Sequence, residues 1–103
     1  MSFDPKAEIN DAEALTLIRE IVNSGEIIYS SHVKQRMRER NYTTNDITFI
    51  LENGKITSKE FNEDVAFQNW TYRITGDDLD GDSGSVVVAI ISKSGLLIIT
   101  VLA

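Results

Sequence analysis

Two neighbouring apolar segments, Val86-Val-Val-Ala-Ile-Ile-Ser92 and Leu96-Leu-Ile-Ile-Thr-Val-Leu102, decide the fold of this chain. The residues between them, Lys93-Ser-Gly95, are only long enough for a tight turn, so the two segments are predicted to pair as antiparallel β-strands. Both segments are rich in β-branched residues and are apolar at almost every position. Strands without a polar face are predicted to lie at the centre of a sheet, with cover on both sides.

Two further strands are predicted before this pair, at residues 56–61 and 66–75, with connections at Asn62-Glu-Asp64 and at Gly76 to Gly84. Short connections require antiparallel neighbours, so the four strands form a meander. The strand at 66–75 alternates in character. Its predicted faces are Phe67, Asn69, Thr71 and Arg73 on one side, and Gln68, Trp70, Tyr72 and Ile74 on the other.

The first half of the chain has the spacing of helices. Asn10-Asp-Ala-Glu13 has the form of a capping box and begins an amphipathic helix over about residues 11–24, which Gly25 ends. A short strand is predicted at 26–30, and Ser30 or Ser31 then caps a second helix. Thr43 or Thr44 caps a third helix that runs to Asn53-Gly54.

These elements predict a single α+β domain over residues 1–103, with N-terminal helices packed on an antiparallel β-meander of four to five strands. Residues 1–25 form a helical extension and residues 26–103 form the core. Helices on one face leave the other face of the sheet uncovered. Either the first helix crosses to that face or a second copy packs there, and a homodimer is expected in the second case.

Composition excludes several classes of protein. Sixteen acidic and ten basic residues give a net charge of -6, which argues against a protein that coats nucleic acid through bulk charge. The absence of Cys and the presence of a single His exclude disulfides, thiolate nucleophiles and Cys- or His-rich metal sites, and no cofactor is predicted. No apolar run approaches the roughly 20 residues of a membrane span, and the N-terminus lacks a signal-peptide core. We therefore expect a cytoplasmic protein without a membrane partner.

The basic residues are concentrated on the second helix. Four of the ten, Lys34, Arg36, Arg38 and Arg40, lie within seven positions. His32, Arg36 and Arg40 are spaced by four residues, so they drift only about 40° per step and share one helix face. We call these three residues the ladder. Like charges at this spacing destabilise a helix unless an anion faces them, so the ladder implies either a carboxylate of the protein or a ligand such as phosphate.

In the first interpretation the ladder is a catalytic or phosphate-binding site. His32 can move a proton near neutral pH, and Arg36 and Arg40 can bind phosphate and stabilise developing charge. This is the chemistry that metal-independent RNA cleavage requires. Tyr72 is a further acid–base or stacking candidate, and Lys34 and Arg73 are further phosphate ligands; because Tyr72 and Arg73 are adjacent on a strand, at most one of them faces the ladder.

In the second interpretation the ladder is structural. His32 satisfies backbone near the helix start, and Arg36 and Arg40 pair with carboxylates of the protein such as Glu39, Asp46 or Glu52. A charged helix face is usually solvated surface, and composition alone favours this interpretation.

Other motifs point to structure. In Asp77-Asp-Leu-Asp-Gly-Asp-Ser-Gly84 the alternate Asp residues resemble a calcium loop, but Ser83 stands where such a loop needs Gly and Ala89 stands where it needs Glu. The segment is therefore predicted to be a solvated hairpin loop, and no metal site is expected. Trp70 and Phe67 are expected to be core or interface residues.

The order of these parts resembles the bacterial domain-of-unknown-function family 4258. The resemblance covers residues 27 to 102 and rests on Ser31-His32 at a helix start, on Arg36 and Arg40, on Leu51-Glu-Asn-Gly54, on Tyr72-Arg73, and on the final apolar strands with Ile98-Ile-Thr-Val101. His32, Arg36 and Arg40 match the family's helix motif, and Tyr72-Arg73 match its strand motif. The chain departs from its relatives in its acidity and in ending at Leu102-Ala103, without an aromatic residue near the end.

The resemblance implies a RelE-like α+β fold of the RelE and barnase group, and with it a toxin-type, metal-independent endoribonuclease. RNA and an antitoxin-type small protein are the expected partners. Two other functions stay open at the sequence level: a non-catalytic interaction module or homodimeric regulator, and an immunity or phage-type accessory protein whose acidity mimics nucleic acid for a basic partner.

Overall fold

The computed structural model describes residues 3–63 and 68–102 of the chain. Three helices and a short strand precede a four-strand meander. In chain order the elements are α1 (Asp11–Ser24), β1 (Glu26–Tyr29), α2 (Ser31–Arg40), α3 (Thr44–Asn53), β2 (Lys55–Asn62), β3 (Asn69–Asp77), β4 (Ser83–Ser92) and β5 (Gly95–Leu102).

Side-chain caps fix where each helix begins, as the sequence predicted. The Asn10 side chain accepts a hydrogen bond from the Glu13 N–H at 2.8 Å, and Ser30 accepts one from the Val33 N–H at 3.0 Å. Thr43 and Asp46 form a reciprocal capping box at the start of α3. These caps satisfy donors that have no partner within the helix, so the predicted helix boundaries are confirmed.

The five strands form one sheet with the order β1-β5-β4-β3-β2, and the predicted central position of the last strands is confirmed. The α+β class is also confirmed, and the sheet is mostly antiparallel. The exception is β1, which pairs with β5 in parallel. The Glu26 N–H donates to the Ser94 carbonyl at 2.7 Å, and the Ser30 hydroxyl donates to the Ile99 carbonyl at 2.9 Å, so both ends of β1 are tied to β5 or its turn.

Strands β2, β4 and β5 are longer than the sequence predicted, β3 begins and ends later than predicted, and β1 ends one residue earlier. The acidic loop is shorter than predicted. Gly76 and Asp77 belong to β3, while Ser83 and Gly84 belong to β4, so the loop between them is residues 78–82. The pairing of β3 with β4 continues to this point, where Asp77 pairs with Ser83. The predicted strand residues Ala66 and Phe67 lie outside the described residues.

The helices pack on one face of the sheet, which we call the helix face. Ala14, Ile18 and Ile21 of α1 lie in the same buried cluster as residues of α2, α3 and the sheet. The first helix therefore does not cross to the other side, and that alternative is wrong. The remaining members of the cluster are Val33, Ile47, Ile50, Leu51, Tyr72, Ile74, Val86, Val88, Ile90, Leu96, Ile98 and Val101.

The opposite side of the sheet, which we call the open face, carries no helix among the described residues. Within residues 3–63 and 68–102, the expectation that β4 and β5 are covered on both faces is therefore not met. Val87, Leu97 and Ile99 are only partly buried there, and Ile28 of β1 is 41% exposed. Apolar side chains at such positions stay in contact with water unless another surface covers them.

Candidate functional site

Helix α2 is held on the helix face by a short apolar stripe. Val33 is fully buried and Met37 packs against the same core. Asn41 ends the helix in the left-handed conformation, with φ of 58°, and the Tyr42 N–H donates to the Met37 carbonyl at 2.8 Å. These contacts fix the rotation of α2 and so decide which side chains face solvent.

The ladder flanks this stripe and becomes less exposed along the helix. His32 is exposed, the Arg36 side chain retains 28% of its exposure, and Arg40 is partly buried. The three side chains share one face of α2, so the structure brings together these three predicted site residues. Arg38 and Arg40 also lie in the last turn, where cations interact favourably with the helix dipole.

Arg36 has one anionic neighbour in the part of the chain that the structure describes. Its Nη1 lies 3.6 Å from Oε2 of Glu39, whose side chain is about half exposed, and Glu39 also accepts a hydrogen bond from Gln35 at 3.2 Å. An exposed pair at this distance contributes little to stability, on the order of a few tenths of a kcal/mol. For Arg36 the structural interpretation therefore rests only on Glu39, a weak partner that is shared with Gln35.

Arg40 has no anionic partner among residues 3–63 and 68–102. Its Nε is buried and makes no hydrogen bond to a protein atom. Neither Asp46 nor Glu52 pairs with it, and Asp46 instead serves the α3 cap. A buried donor without a partner is costly, and guanidinium groups bind oxyanions well. Arg40 is the part of the ladder that most clearly lacks its anion.

Lys34 lies elsewhere on the helix. It follows His32 by two positions, which places it roughly 200° around the helix axis, beyond the buried stripe. It is exposed and makes no ion pair in the described part of the chain. The structure therefore separates Lys34 from the ladder, although both contribute to the same basic helix.

Tyr72 and Arg73 point to opposite faces of β3, as predicted. Tyr72 is 2% exposed within the core, and burial, the largest cause, raises its pKa. Its hydroxyl is thus shielded from solvent on the helix face, which argues against a catalytic role. Arg73 is exposed on the open face, so the sheet separates it from α2. The structure does not bring either residue to the ladder.

The acidic loop is a folded structural element. Asp78 is 5% exposed and accepts hydrogen bonds from the Tyr42 hydroxyl at 2.8 Å and from the N–H groups of Asp80 and Asp82. The pKa of Asp78 is lowered, mainly because its carboxylate accepts the hydrogen bond from Tyr42. The pKa of Tyr42 is raised to about 12, first because the hydroxyl is buried and second because it donates to Asp78. Asp46 accepts from the Leu79 N–H at 3.3 Å. Two carboxylates thus join the loop to the region between α2 and α3.

Sequence reasoning missed this connection because its partners are 33 and 36 residues apart. No group of three or more potential metal ligands lies together in the described part of the chain.

Trp70 supports the fold, with its indole N–H donating to the Lys6 carbonyl at 3.1 Å and its ring in edge contact with Phe61. The other predicted aromatic residue, Phe67, lies outside the described residues.

Three recesses lie on the open face, with volumes of about 640, 460 and 240 Å³. Arg73 lines two of them, and Glu60 lines two. Sequence reasoning also missed Glu60, whose position beside Arg73 depends on the register of β2 with β3. None of the three recesses is lined by a ladder residue.

None of the described helices has the length and apolarity that a membrane span requires. Searches of curated proteins and of solved structures found no match. One family, described as "Domain of unknown function (DUF4258)", matches residues 29–103. The match begins at the end of β1 and includes the ladder, the third helix and the whole meander, while α1 lies before it. Since it covers most of the chain, the protein belongs to the DUF4258 family.

Proposed function

We propose that this protein is a RelE-like, metal-independent endoribonuclease of the toxin type, and that the ladder of α2 is its phosphate site. The observation that carries the proposal is the Arg40 side chain, which forms no ion pair within residues 3–63 and 68–102 and whose Nε has no hydrogen-bond partner there. In a chain with sixteen acidic residues, no described carboxylate pairs with Arg40, and only Glu39 approaches Arg36. A phosphodiester would supply the missing anion.

Each ladder residue has a part in this chemistry. The two arginines bind the non-bridging phosphate oxygens and stabilise the charge that builds on them. The exposed His32 accepts the proton of the RNA 2′-hydroxyl, whose oxygen attacks the phosphorus. The bond to the 5′-oxygen breaks, the leaving oxygen takes a proton from water, and a cyclic phosphate results.

The test is RNA cleavage by the purified protein in excess chelator, beside His32→Ala and Arg38→Ala. We expect His32→Ala to reduce the cleavage rate by a factor on the order of 10² to 10⁴, the usual contribution of an acid–base group. Arg38→Ala removes a charge from the same helix outside the ladder and should reduce the rate much less. Equal residual cleavage by wild type and His32→Ala would remove His32 from the reaction.

The proposal includes a cellular location and a protein partner. A toxin-type ribonuclease acts on RNA in the bacterial cytoplasm and is restrained by a small antitoxin protein. A neighbouring gene for a small antitoxin-like protein would support this setting.

A second candidate function is a non-catalytic interaction module. The Arg36–Glu39 contact and the shielding of Tyr72 favour it, since both reduce the number of groups available for catalysis. An inert module would show no cleavage in the same assay and would retain its full stability in the His32→Ala variant.

A further inference from the structure

The open face carries two adjacent rows of side chains that run across the strands. The strand register defines the first row as Ser58, Arg73, Val87 and Thr100. It defines the second as Glu60, Thr71, Ala89, Leu97 and Ile28. The rows are two residues apart along β2, β3 and β4, which corresponds to about 7 Å, and three residues apart along β5, where the register shifts between Val87 and Val88.

Each row is polar at one end and mostly apolar at the other. The ends on β2 and β3 carry Ser58, Glu60, Thr71 and Arg73, whereas the ends on β4, β5 and β1 include Val87, Leu97 and Ile28. Ile99 lies beside them, because it lines the same recess as Thr71 and Val87. The face is therefore divided into a polar half and a largely apolar half.

Within the two rows the polar half carries Arg73 and Glu60, which do not pair with each other. Arg73 and Glu60 are both exposed and line the same recess of about 240 Å³, yet neither side chain forms an ion pair within residues 3–63 and 68–102. A face that holds charges of both signs is poorly suited to the uniformly negative backbone of a nucleic acid. It is well suited to a surface with the same two charges in exchanged positions.

We infer that the open face binds the open face of a second copy of this chain, around a two-fold axis that runs across the strands between the two rows. Such an axis exchanges the rows while keeping each strand over its own copy. The apolar half then covers the apolar half of the partner. Arg73 comes to lie over the partner's Thr71, one strand from the partner's Glu60, and the symmetry forms this contact twice.

A stable dimer needs only a modest share of the surface of each chain. A standard interface buries about 800 Å² per partner, which is roughly an eighth of the 6018 Å² accessible surface of this chain. Stacked sheets bury side chains from both inner faces in one layer about 10 Å thick. The recesses beside Arg73 and Glu60 give room for side chains of the second copy. The ladder of α2 lies on the other side of the sheet, so this inference is independent of the proposed function.

The test compares molar mass in solution by light scattering and sedimentation for the wild type, Glu60→Arg, Arg73→Glu and the double variant E60R/R73E. We expect the wild type to have twice the 11.5 kDa chain mass. Each single reversal places like charges opposite each other at two symmetric contacts and should weaken the dimer at least about tenfold. The double variant restores opposite charges and should recover most of the wild-type affinity.

Glu52→Arg on α3 is the matched control, since it reverses one exposed acidic residue away from the open face. It should leave the dimer unchanged, and circular dichroism should report the same fold for all variants. A wild-type protein that is monomeric at about 100 µM overturns the inference. A dimer whose stability is unchanged by Glu60→Arg and by Arg73→Glu also overturns it.

Discussion

The basic ladder of α2 and the acidic loop at residues 78–82 are two charged clusters of similar density, yet the fold treats them differently. Asp78 in the loop is buried, and its carboxylate accepts hydrogen bonds from Tyr42 and from two backbone N–H groups. In the ladder, as far as the structure describes the chain, Arg36 has one weakly bound and shared carboxylate, and Arg40 has a buried nitrogen without a partner. The anchoring carboxylate of the loop is used by the structure, while the charges of the ladder are incompletely paired within the described residues.

This difference indicates which cluster is expected to bind something. A charged group that is already hydrogen-bonded gains little from a ligand, whereas an unpaired guanidinium gains much. Substitutions that disturb Asp78 or its partner Tyr42 should therefore reduce stability. Substitutions in the ladder should leave stability nearly unchanged while reducing RNA binding.

The largest loss of stability is expected from Gly84→Ala. A Cβ at this position would lie 2.5 Å from the Tyr42 hydroxyl and 3.3 Å from Cδ1 of Ile50, so the tyrosine must move away from Asp78. Overpacking of this kind costs about 1–3 kcal/mol, measured as the free energy of unfolding in urea. Ser83→Ala, at the neighbouring exposed position, should have no comparable effect. An unchanged unfolding midpoint for Gly84→Ala would show that Tyr42 and Asp78 are not held as described.

A smaller loss is expected from Tyr42→Phe, which removes only the hydroxyl that donates to Asp78. We expect the melting temperature at pH 7 to fall by roughly 5 °C, in line with the loss of one hydrogen bond in a domain of this size. Asp80→Asn, an exposed change in the same loop, should leave the melting temperature within about 1 °C. Equal melting temperatures for wild type and Tyr42→Phe would contradict the account of the loop.

The same pair gives a pH dependence with a defined sign. The pKa of Asp78 is lowered in the fold, so its contribution to stability is present above its ordinary value of 3.8 and is lost as the pH falls through the folded pKa. The stability difference between wild type and Tyr42→Phe should therefore narrow below pH 3.8. At the alkaline end, the Tyr42 contribution is complete below pH 10 and is lost as the pH approaches 12. Thermal unfolding of wild type and Tyr42→Phe from pH 3 to pH 11 measures how their stability difference changes toward each end of the range. A stability difference that stays constant over this range would contradict both expectations.

The smallest effect on stability is expected in the ladder. Arg40→Met keeps the apolar part of the side chain and removes a buried donor without a partner, so it should be neutral or stabilising by a few tenths of a kcal/mol. Arg36→Gln removes a weak exposed pair and should change the unfolding free energy by less than about 0.5 kcal/mol. A loss above about 2 kcal/mol for either variant, measured by urea unfolding, would make the ladder structural.

The helices and their caps were predictable because their signals are local. Asn10, Ser30 and Thr43 act within three residues of their own position, and Gly25 and Gly54 follow the last helical residues directly. The turn between β4 and β5 was predictable for the same reason. The ladder itself follows from the four-residue spacing alone.

Long-range relations were not predictable from these signals. The parallel pairing of Glu26 with Gly95 joins residues far apart in the chain, and no short connection specifies it. The separation of Arg73 from α2 depends on which face of β3 the helices cover. The use of Asp78 by Tyr42, and of Asp46 by the Leu79 backbone, likewise depends on packing between distant elements.

The most direct test of the ladder as a phosphate site is the affinity for a short single-stranded RNA, measured by fluorescence anisotropy at several salt concentrations. The double variant R36Q/R40Q is compared with R38Q/K93Q, which loses the same charge outside the ladder. We expect the ladder variant to bind at least about tenfold more weakly than the control, with a salt dependence shallower by roughly 1.4 because two phosphate contacts are lost. Equal affinities and equal salt slopes for the two variants would contradict the account.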